Sequence, residues 1–585
     1  MRNAQPPLQG PALDTATLSF QVVAGNEAAW VFAAQTGAYE QLVRCMDAYP
    51  NDPEVQSLCC DALACLGNAR GDSSSRETWA AHPDKAARTG AIRAMAAALH
   101  AHGAHRDVLI SAAATLASIF ARSLQQEKPA EALAVARDGR AADALAGALP
   151  LALRIAATDD AELLEILLDV LSSLARLDTV CAQQAARPGT LAVLGEALRL
   201  HGGGTSGFAY YACSVMRCIV EVVPLRERSD AADGCIAGLR VALVAHRVPP
   251  VQSAAWDCVY VLTVKDERAA RRADAGIAAD AVRMLQCTSA DVDANDSTIE
   301  AATCASRALS VLVNADNRSR CSAVAAGIVP VLTALLRAHG SAHEQLASGA
   351  CTALVPVFKM PVPGDDPLEL VSGSEDILSL VAVLATTMLA HAASMDVQLS
   401  ATAVLLSLMV SLLYAFELEA TMRRPARDAS GLARRLADAG VLEATATALQ
   451  MHAGADPVQL RDNALVVLIV ACSGAMLDST SPPLQASVAA RAAQAGVGAA
   501  LSAALAQNLR PHPDSDARTR AAALAAAVAR LPVPRVCDSC GTTDASKLKL
   551  CSRCLKVRFC GEACQRAAWP EHKLVCVRAP AADAT

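Results

Sequence analysis

A glycine that precedes an apolar stretch of helix length recurs along most of this 585-residue chain. The nine clear copies begin at Gly37, Gly90, Gly139, Gly189, Gly234, Gly276, Gly327, Gly440 and Gly496, and a weaker copy begins at Gly373. Neighbouring glycines are at least 42 residues apart (Gly234 to Gly276) and at most 67 (Gly373 to Gly440). Self-similarity of this kind indicates a repeat protein, in which one folded unit is copied along the chain.

Each copy has the same internal order. A helix of about 12 residues follows the glycine, and a short polar break separates it from a longer apolar helix. Examples of the longer helix are Leu163–Leu174, Ala254–Leu262 and Ala302–Val313. One such pair cannot bury both apolar faces alone, whereas a stack of about ten copies buries a continuous core. The pattern predicts an all-α solenoid over residues 1–530.

The composition agrees with an all-helical chain. Hydrophobic residues make up 53% of the sequence and aromatic residues only 3%, with alanine the most frequent residue. Alanine is the best helix former, whereas aromatic and β-branched residues favour strands. The high apolar content and the small net charge of −7 also argue against long disordered segments.

The repeat resembles the armadillo repeat, whose unit is a short helix followed by two longer ones. The clearest copy reads Asn317-Arg-Ser-Arg-Cys-Ser-Ala-Val-Ala-Ala-Gly327-Ile-Val-Pro-Val-Leu. Helix pairs of the HEAT type are the alternative. The resemblance implies an armadillo/HEAT-like α-solenoid, and a solenoid offers an extended groove that would bind a second protein.

Two kinds of residue within the repeats allow both a functional and a structural interpretation. Histidines recur where the first helix of a repeat ends, at His100, His201, His246, His339 and His452. We expect them to meet the last carbonyls and the dipole of the helix, rather than a metal. Trp256 is expected in the core, because no ladder of asparagines accompanies it as in armadillo proteins that grip basic peptides.

The sequence favours an intracellular protein, cytoplasmic or nuclear, with no membrane contact. Residues 1–20 lack the long apolar core of a signal peptide, so the scattered cysteines are expected to be small buried hydrophobes. Ile377–Met395 and Val397–Phe416 carry no charge and approach the length of a membrane helix, about 20 residues. Polar residues such as His391 and Gln398 dilute them, which favours buried repeat helices.

Seven of the 21 cysteines fall within residues 537–576. Together with one histidine they form the pattern C-x2-C, C-x2-C, C-x3-C, H-x3-C. The eight candidate ligands are Cys537, Cys540, Cys551, Cys554, Cys560, Cys564, His572 and Cys576. Eight thiolate and imidazole ligands predict two tetrahedral zinc ions per chain, in closed sites that are structural and not catalytic. A module of this size has too little core to fold alone, so we expect it to unfold without metal.

The residues around the ligands resemble the MYND zinc finger, through Phe559-Cys560, Cys564-Gln565, Trp569 and His572-Lys573. The resemblance implies interleaved ligation. One zinc would take Cys537, Cys540, Cys560 and Cys564, and the other Cys551, Cys554, His572 and Cys576. It also implies a hairpin of 548–551 with 557–560 and a helix from about Glu562 to Trp569, which Pro570 would end.

MYND fingers bind short Pro-rich peptides, and the resemblance assigns peptide binding to Ser552, Gln565 and Trp569. A flat indole face and an amide suit an extended Pro-rich strand. The alternative is that Trp569 only packs the small core of the finger. Residues 535–578 carry nine Lys or Arg against four Asp or Glu, but no base-reading helix is visible, which argues against nucleic acid.

These features predict a non-enzymatic adaptor or scaffold. The repeat array at 1–530 would be joined by a linker at 531–536 to the finger at 537–576, with a tail at 577–585. No phosphate-binding loop, HExxH motif or nucleophile elbow is present in the sequence. A nuclear corepressor-type scaffold and a zinc-dependent ubiquitin ligase component are the alternatives.

Overall fold

The computed structural model describes residues 37–68, 90–358 with short gaps, 374–421 and 439–452. It also describes single positions within 459–468, residues 496–497, and 549–550, 558–559 and 561–575 near the C-terminus. The chain divides into two compact units, Met1–Leu335 and Leu336–Thr585. The predicted linker at 531–536, the predicted tail and Gly373, the first residue of the weaker copy, lie outside the described residues.

The first unit consists of two layers of helices, in each of which consecutive helices pack side by side. The first layer contains α2 (Pro53–Asn68), α4 (Arg106–Gln125), α7 (Ala161–Leu177), α10 (Ser206–Val220), α12 (Pro249–Val264) and α15 (Asp296–Ala315). The second layer contains α1 (Ala38–Ala48), α3 (Ala91–His102), α6 (Ala141–Ala156), α9 (Thr190–His201), α11 (Leu225–Ala245), α14 (Ala275–Ala290) and α17 (Ile328–Leu335). The core lies between the layers and is made of leucine, valine and alanine.

Short connector helices precede several second-layer helices. They are α5 (Pro129–Asp138), α8 (Thr179–Ala185), α13 (Glu267–Arg272) and α16 (Asn317–Ala325). The side chains of Asp178, Asp266 and Asp316 accept backbone N–H bonds at the starts of α8, α13 and α16. Such N-caps satisfy donors that have no partner inside the helix. With the connector, a repeat contains the one short and two longer helices of the predicted unit.

The recurrent glycines come directly before most of the helices they were predicted to precede, but not before all of them. Gly37, Gly90, Gly189, Gly327, Gly440 and Gly496 adopt positive φ, a left-handed conformation that suits glycine. At Gly234 the prediction of a helix start is wrong, because α11 runs through it without a break. Glycine is tolerated inside a helix at a cost of about 1 kcal/mol. The backbones cross closely there, since a Cβ on Gly195 of α9 would lie 2.9 Å from Cys235 N.

The second unit continues the pattern in the residues that are described. A π turn (Leu336–Gly340) is followed by α18 (Glu344–Leu354), a 3-10 turn (Val355–Phe358), α19 (Ser374–Ala390), α20 (Met395–Thr421) and α21 (Val441–Met451). The two uncharged stretches of the sequence fall in α19 and α20, where leucine and valine side chains such as Leu384 and Leu405 are fully buried. This agrees with the prediction of buried repeat helices.

Within the described residues, no single helix is long and apolar enough to cross a membrane. The pair Asn317–Ala325 and Ile328–Gly340, bent by 69°, meets the length and composition criteria only when its two members are taken together.

The C-terminal module contains the predicted hairpin and helix. β1 (Lys549–Leu550) pairs antiparallel with β2 (Arg558–Phe559), with Lys549 opposite Phe559. α22 spans Glu562–Val575, so the prediction that Pro570 ends the helix is wrong. Proline lacks an N–H, which removes one backbone bond but does not force the chain out of a helix that other interactions hold. The spacing H-x3-C places two ligands one helical turn apart, and this arrangement already calls for helix beyond Pro570.

Candidate functional site

The helix of the C-terminal module presents an aromatic side chain to solvent. Trp569 is 37% exposed and is the one aromatic among the exposed large apolar side chains of the described residues. Gln565 is exposed and lies one turn before it, so the two share a face of α22. Arg566 is exposed and pairs with Glu562 across 2.9 Å at the start of the helix. α22 contacts β2, so Gln565 and Trp569 are carried on a helix that packs beside the hairpin.

Only part of the predicted zinc site lies within the described residues. Cys564 lies on α22 with a half-buried side chain, and His572 lies on the same helix. Ser552 and the six other predicted ligands lie outside the described residues. These ligands are Cys537, Cys540, Cys551, Cys554, Cys560 and Cys576. Among the described side chains no group of three potential ligands comes together. The donor chemistry fits zinc, because thiolate and imidazole are the ligands of closed structural sites.

A second candidate surface is the face of the first layer that points away from the second. On α12 this face carries Ser253, Asp257, Tyr260 and Val264, at spacings of four, three and four residues. The Arg217 guanidinium of α10 donates to Asp257 across 2.8 Å. On the other side, Arg307 of α15 reaches Asp257 at 3.8 Å and lies 4.1 Å from the Tyr260 ring centroid. We call this surface the first-layer face.

The first-layer face continues onto α7 and α10. The Arg176 guanidinium donates to the Tyr210 hydroxyl across 2.8 Å, and Thr205 donates to Glu165 across 2.6 Å. The rings of Tyr210 and Tyr211 meet edge to face with centroids 5.6 Å apart. Three of the six tyrosines of the chain, counting Tyr260, therefore lie on this one surface. Tyrosine is favoured at protein interfaces because it joins an apolar ring to a polar tip.

Burial and neighbouring charge perturb two ionisable groups on this face. Desolvation by burial, together with the nearby Glu165 carboxylate, raises the pKa of Asp169, although a hydrogen bond from Tyr211 opposes the shift. Burial and the Asp169 charge raise the pKa of Tyr211. The carboxylate and the phenol thus form a partly desolvated, hydrogen-bonded pair.

The recurring histidines join consecutive repeats. His246 Nε2 donates to Gly202 O across 2.8 Å, and His452 Nε2 donates to Ala392 O across 3.1 Å. His102 and His391 make the same kind of bond, to Pro50 O at 2.8 Å and to Gly340 O at 2.7 Å. These carbonyls belong to the preceding repeat, so the expectation that the histidine meets the end of its own helix is wrong for His246 and His452. The reason is that the ends of stacked helices lie side by side.

The other predicted histidines behave differently. His100 Nε2 lies 3.4 Å from the Asp143 carboxylate. Nε2 of His201 and of His339 is buried without a hydrogen-bond partner. The His201 ring meets Phe208 edge to face at 6.0 Å. The recurring histidines therefore mark the ends of helices, and their side chains make different contacts from one repeat to the next.

Sequence reasoning missed a set of buried glutamines that close the same helix ends. Gln56, Gln252 and Gln398 each donate through Nε2 to two carbonyls at the end of the preceding second-layer helix. A signal was present, because each glutamine follows the helix end (Tyr49, His246 or His391) by six or seven residues.

The expectation that Trp256 belongs to the core is confirmed. Its side chain is 1% exposed, and its Nε1 donates to Gln252 Oε1 across 3.0 Å. Burial raises the pKa of Cys213, Cys235 and Cys351 to about 12, in agreement with their role as small buried hydrophobes.

Comparison with solved structures defines the class of fold. The chain is similar to an engineered protein with a TM-score of 0.52 and 20% identity, over 84% of this chain and 99% of that one. It is also similar to a structure concerned with the phosphorylation switch between cadherin and beta-catenin. There the TM-score is 0.54 and the identity 16%, over 89% of this chain and 99% of that one. The fold is thus an armadillo-like helical solenoid, and the likeness concerns the fold alone.

The family comparison identifies the C-terminal module. Residues 537–576 match the family model of the MYND finger. Over 40 residues the chain is 45% identical to the zinc finger MYND domain-containing protein 10 homolog of Drosophila melanogaster. This match covers 7% of the chain and 9% of that relative. The predicted zinc-binding MYND finger is therefore confirmed, and the shared part of the two proteins is the finger.

Proposed function

We propose that this protein is a non-enzymatic adaptor whose MYND finger recruits Pro-rich peptides and whose helical array holds a second protein. The finger match and the repeat-type fold neighbours both support protein binding. The observation that carries the proposal is the pair Gln565 and Trp569, exposed one turn apart on a helix that packs beside the hairpin.

The chemistry of this pair suits an extended Pro-rich strand. Proline rings stack on the flat face of an indole, and such strands lose little entropy on binding because they are already extended. The Gln565 amide can donate to a peptide carbonyl and accept from a peptide N–H. Ser552 would add a further contact to the peptide from the hairpin side. A tryptophan that only packed the core would be buried like Trp256, which is 1% exposed.

Zinc would hold this surface in shape. We propose two ions per chain, one on Cys537, Cys540, Cys560 and Cys564 and the other on Cys551, Cys554, His572 and Cys576. The metal supplies folding energy to such a module and leaves no open position for substrate water. Gln565 and Trp569 follow Cys564 on α22, so ligation at Cys564 would fix the helix that carries them.

We propose that the second protein binds to the first-layer face. Tyr210, Tyr211 and Tyr260 offer aromatic surface, and the ion pairs around Asp257 offer polar groups already in place. Two modest sites on one chain gain affinity when their ligands are joined. The array at 1–530 and the finger at 537–576 would in this way assemble two partners into one complex.

The test compares three forms of the full chain in affinity purification with mass spectrometry. These are the wild type, a Gln565→Ala/Trp569→Ala variant and an Arg566→Ala control on the same helix. We expect proteins with Pro-rich segments to disappear from the double variant and to remain with the control. Equal zinc content in all three forms shows that the finger still folds. An unchanged partner set would remove Trp569 from the proposal.

The alternatives predict different readouts. A ubiquitin ligase component would support ubiquitin transfer from an E2 enzyme in vitro, and we expect none above a zinc-stripped control. A corepressor-type scaffold would accumulate in nuclei, whereas an adaptor that assembles complexes in the cytoplasm would stay outside them. Imaging of the tagged chain separates these two.

A further inference from the structure

Two adjoining clefts open on the second layer, on the opposite side of the first unit from the first-layer face. One, of about 700 Å³, lies between α9, α11 and the end of α13. The other, also about 700 Å³, lies between α11, α14 and the starts of α12 and α15. Arg240 and Val244 of α11 line both, so α11 forms a ridge between them. We call the pair the second-layer clefts.

The ridge is apolar and exposed. Ala237, Val241 and Val244 follow one another at spacings of four and three residues along one side of α11, and Val248 lies in the connection after the helix ends at Ala245. Val244, near the end of α11, is 64% exposed, and Val248 is 45% exposed. The three helical residues span about 11 Å along the helix axis. We call them the α11 stripe.

The neighbouring helix extends the apolar surface. Leu200, near the end of α9, is 48% exposed. The ends of α9 and α11 are adjacent, since His246 Nε2 donates to Gly202 O across 2.8 Å. A Cβ on Gly203 would lie 3.9 Å from Ala245 Cβ. Leu200 therefore lies on a helix end that adjoins the end of α11, and exposed apolar surface of this kind marks interaction sites.

The rim of the clefts is basic, although the chain has a net charge of −7. Five arginines line the clefts, namely Arg199, Arg240, Arg247, Arg272 and Arg283, against Asp233, Asp280 and Asp291. Arg199 also pairs with Glu196 on α9, and Arg272 pairs with Asp233. The Asp280 side chain is only 8% exposed and lies beneath Arg240 and Arg283. The Arg283 side chain itself is 62% exposed. Five arginines thus face four carboxylates, of which Asp280 is buried, so the solvent side of the rim carries a small excess of positive charge.

We propose that the second-layer clefts bind an acidic amphipathic helix of a partner protein. Its apolar side would cover the α11 stripe, because side chains spaced at three and four residues pack into those of another helix with the same spacing. Its Asp and Glu residues would flank that side and meet arginines in both clefts. This site is separate from the finger and from the first-layer face, so it adds a third ligand to the proposed adaptor.

A peptide selection tests the proposal without a known partner. A displayed library of random 16-residue peptides is selected on the full chain carrying Gln565→Ala/Trp569→Ala, so that the finger contributes nothing. We expect enriched peptides to be acidic, with apolar residues at helical spacing. Synthetic copies are then measured by fluorescence anisotropy. We expect Val244→Asp and Arg247→Glu each to weaken binding at least tenfold, and raised salt to weaken it further.

The matched control is Leu389→Asp, an exposed leucine (45%) on α19 that belongs to neither proposed surface, and it should leave binding unchanged. Equal melting curves by circular dichroism show that all variants fold. The proposal fails if the enriched peptides are basic or Pro-rich, or if Val244→Asp leaves their binding intact. It also fails if duplex DNA competes as well as the peptides do, because the surface would then recognise negative charge alone.

Discussion

Gln252 shows what a single buried side chain contributes to the stacking of repeats. Its Nε2 donates to Leu243 O and His246 O, and its Oε1 accepts from the indole of Trp256. The side chain is 4% exposed, so none of these groups can turn to water instead. The carbonyl end of α11 and the core tryptophan therefore depend on one amide.

Replacing Gln252 by Ala should lower the free energy of unfolding by about 1–3 kcal/mol, because buried carbonyls and an indole N–H lose their partner. The midpoint of urea unfolding, followed by circular dichroism, measures the effect. Gln286→Ala is the matched control, since that glutamine is exposed on α14. Equal midpoints for the two variants would contradict the capping role.

Cys45 differs from the buried thiols in that it is half-exposed and acidic. The thiol of Cys59 donates a hydrogen bond to it, which lowers the pKa of Cys45 to about 7. Only the thiolate reacts with alkylating reagents. Its rate of alkylation should rise about tenfold from pH 6 to pH 8 and then level off, whereas a thiol of ordinary pKa, about 8.5, would rise nearly eightyfold.

The measurement is mass spectrometry of the Cys45 peptide after timed labelling with iodoacetamide at each pH. In a Cys59→Ala variant the hydrogen bond is absent, so the plateau should move to higher pH. A profile that is the same with and without Cys59 would show that this bond does not tune Cys45.

At the scale of the element, alanine substitutions at two glycines can distinguish backbone strain from steric clash of the added Cβ. Gly189 precedes α9 with φ of +84°, and Gly234 lies inside α11. A Cβ at either position would meet no atom within 4 Å. Any difference between alanine substitutions at these positions must therefore come from the backbone.

Gly189→Ala should destabilise the protein by about 1–2 kcal/mol, because an L residue is strained in the left-handed region. Gly234→Ala should stabilise it by up to about 1 kcal/mol, since alanine is the better helix former. Shifts of the urea midpoint in opposite directions are expected. Loss of stability in both variants would contradict the explanation from backbone conformation.

At the scale of the whole molecule, the finger and the array should respond differently to metal removal. The array buries a large apolar core, whereas a finger of about 40 residues depends on its metal for stability. After chelation, peptides within 549–575 should exchange their amide hydrogens rapidly, while those of α9 to α15 keep their protection. Hydrogen exchange with mass spectrometry measures both at once.

Zinc content before chelation should be about two ions per chain, as eight ligands in closed four-ligand sites require. Persistent protection of 549–575 in the metal-free protein would contradict the zinc dependence. Loss of protection in α9 to α15 as well would show that the array also depends on the metal.

The features predicted correctly from the sequence are those that depend on near neighbours in the chain. Helical spacing of apolar residues predicted the stacked helices, and the spacing of Cys and His predicted the finger that the family model matches. The two errors at Gly234 and Pro570 share a cause. A residue that disfavours helix was taken to mark a helix boundary, whereas contacts with another element can keep the helix intact.

The amino-acid sequence by itself determined the repeat, the all-helical class and the zinc-binding pattern. Each of these depends on residues that recur fewer than about 70 positions apart in the chain. Only the tertiary structure decided which side chains of successive repeats meet, such as Asp257 with Arg217 and Arg307. It also decided that Val244 lies exposed between two basic clefts. Such contacts depend on how each helix is rotated and offset against the next, and that is set by packing across the whole layer.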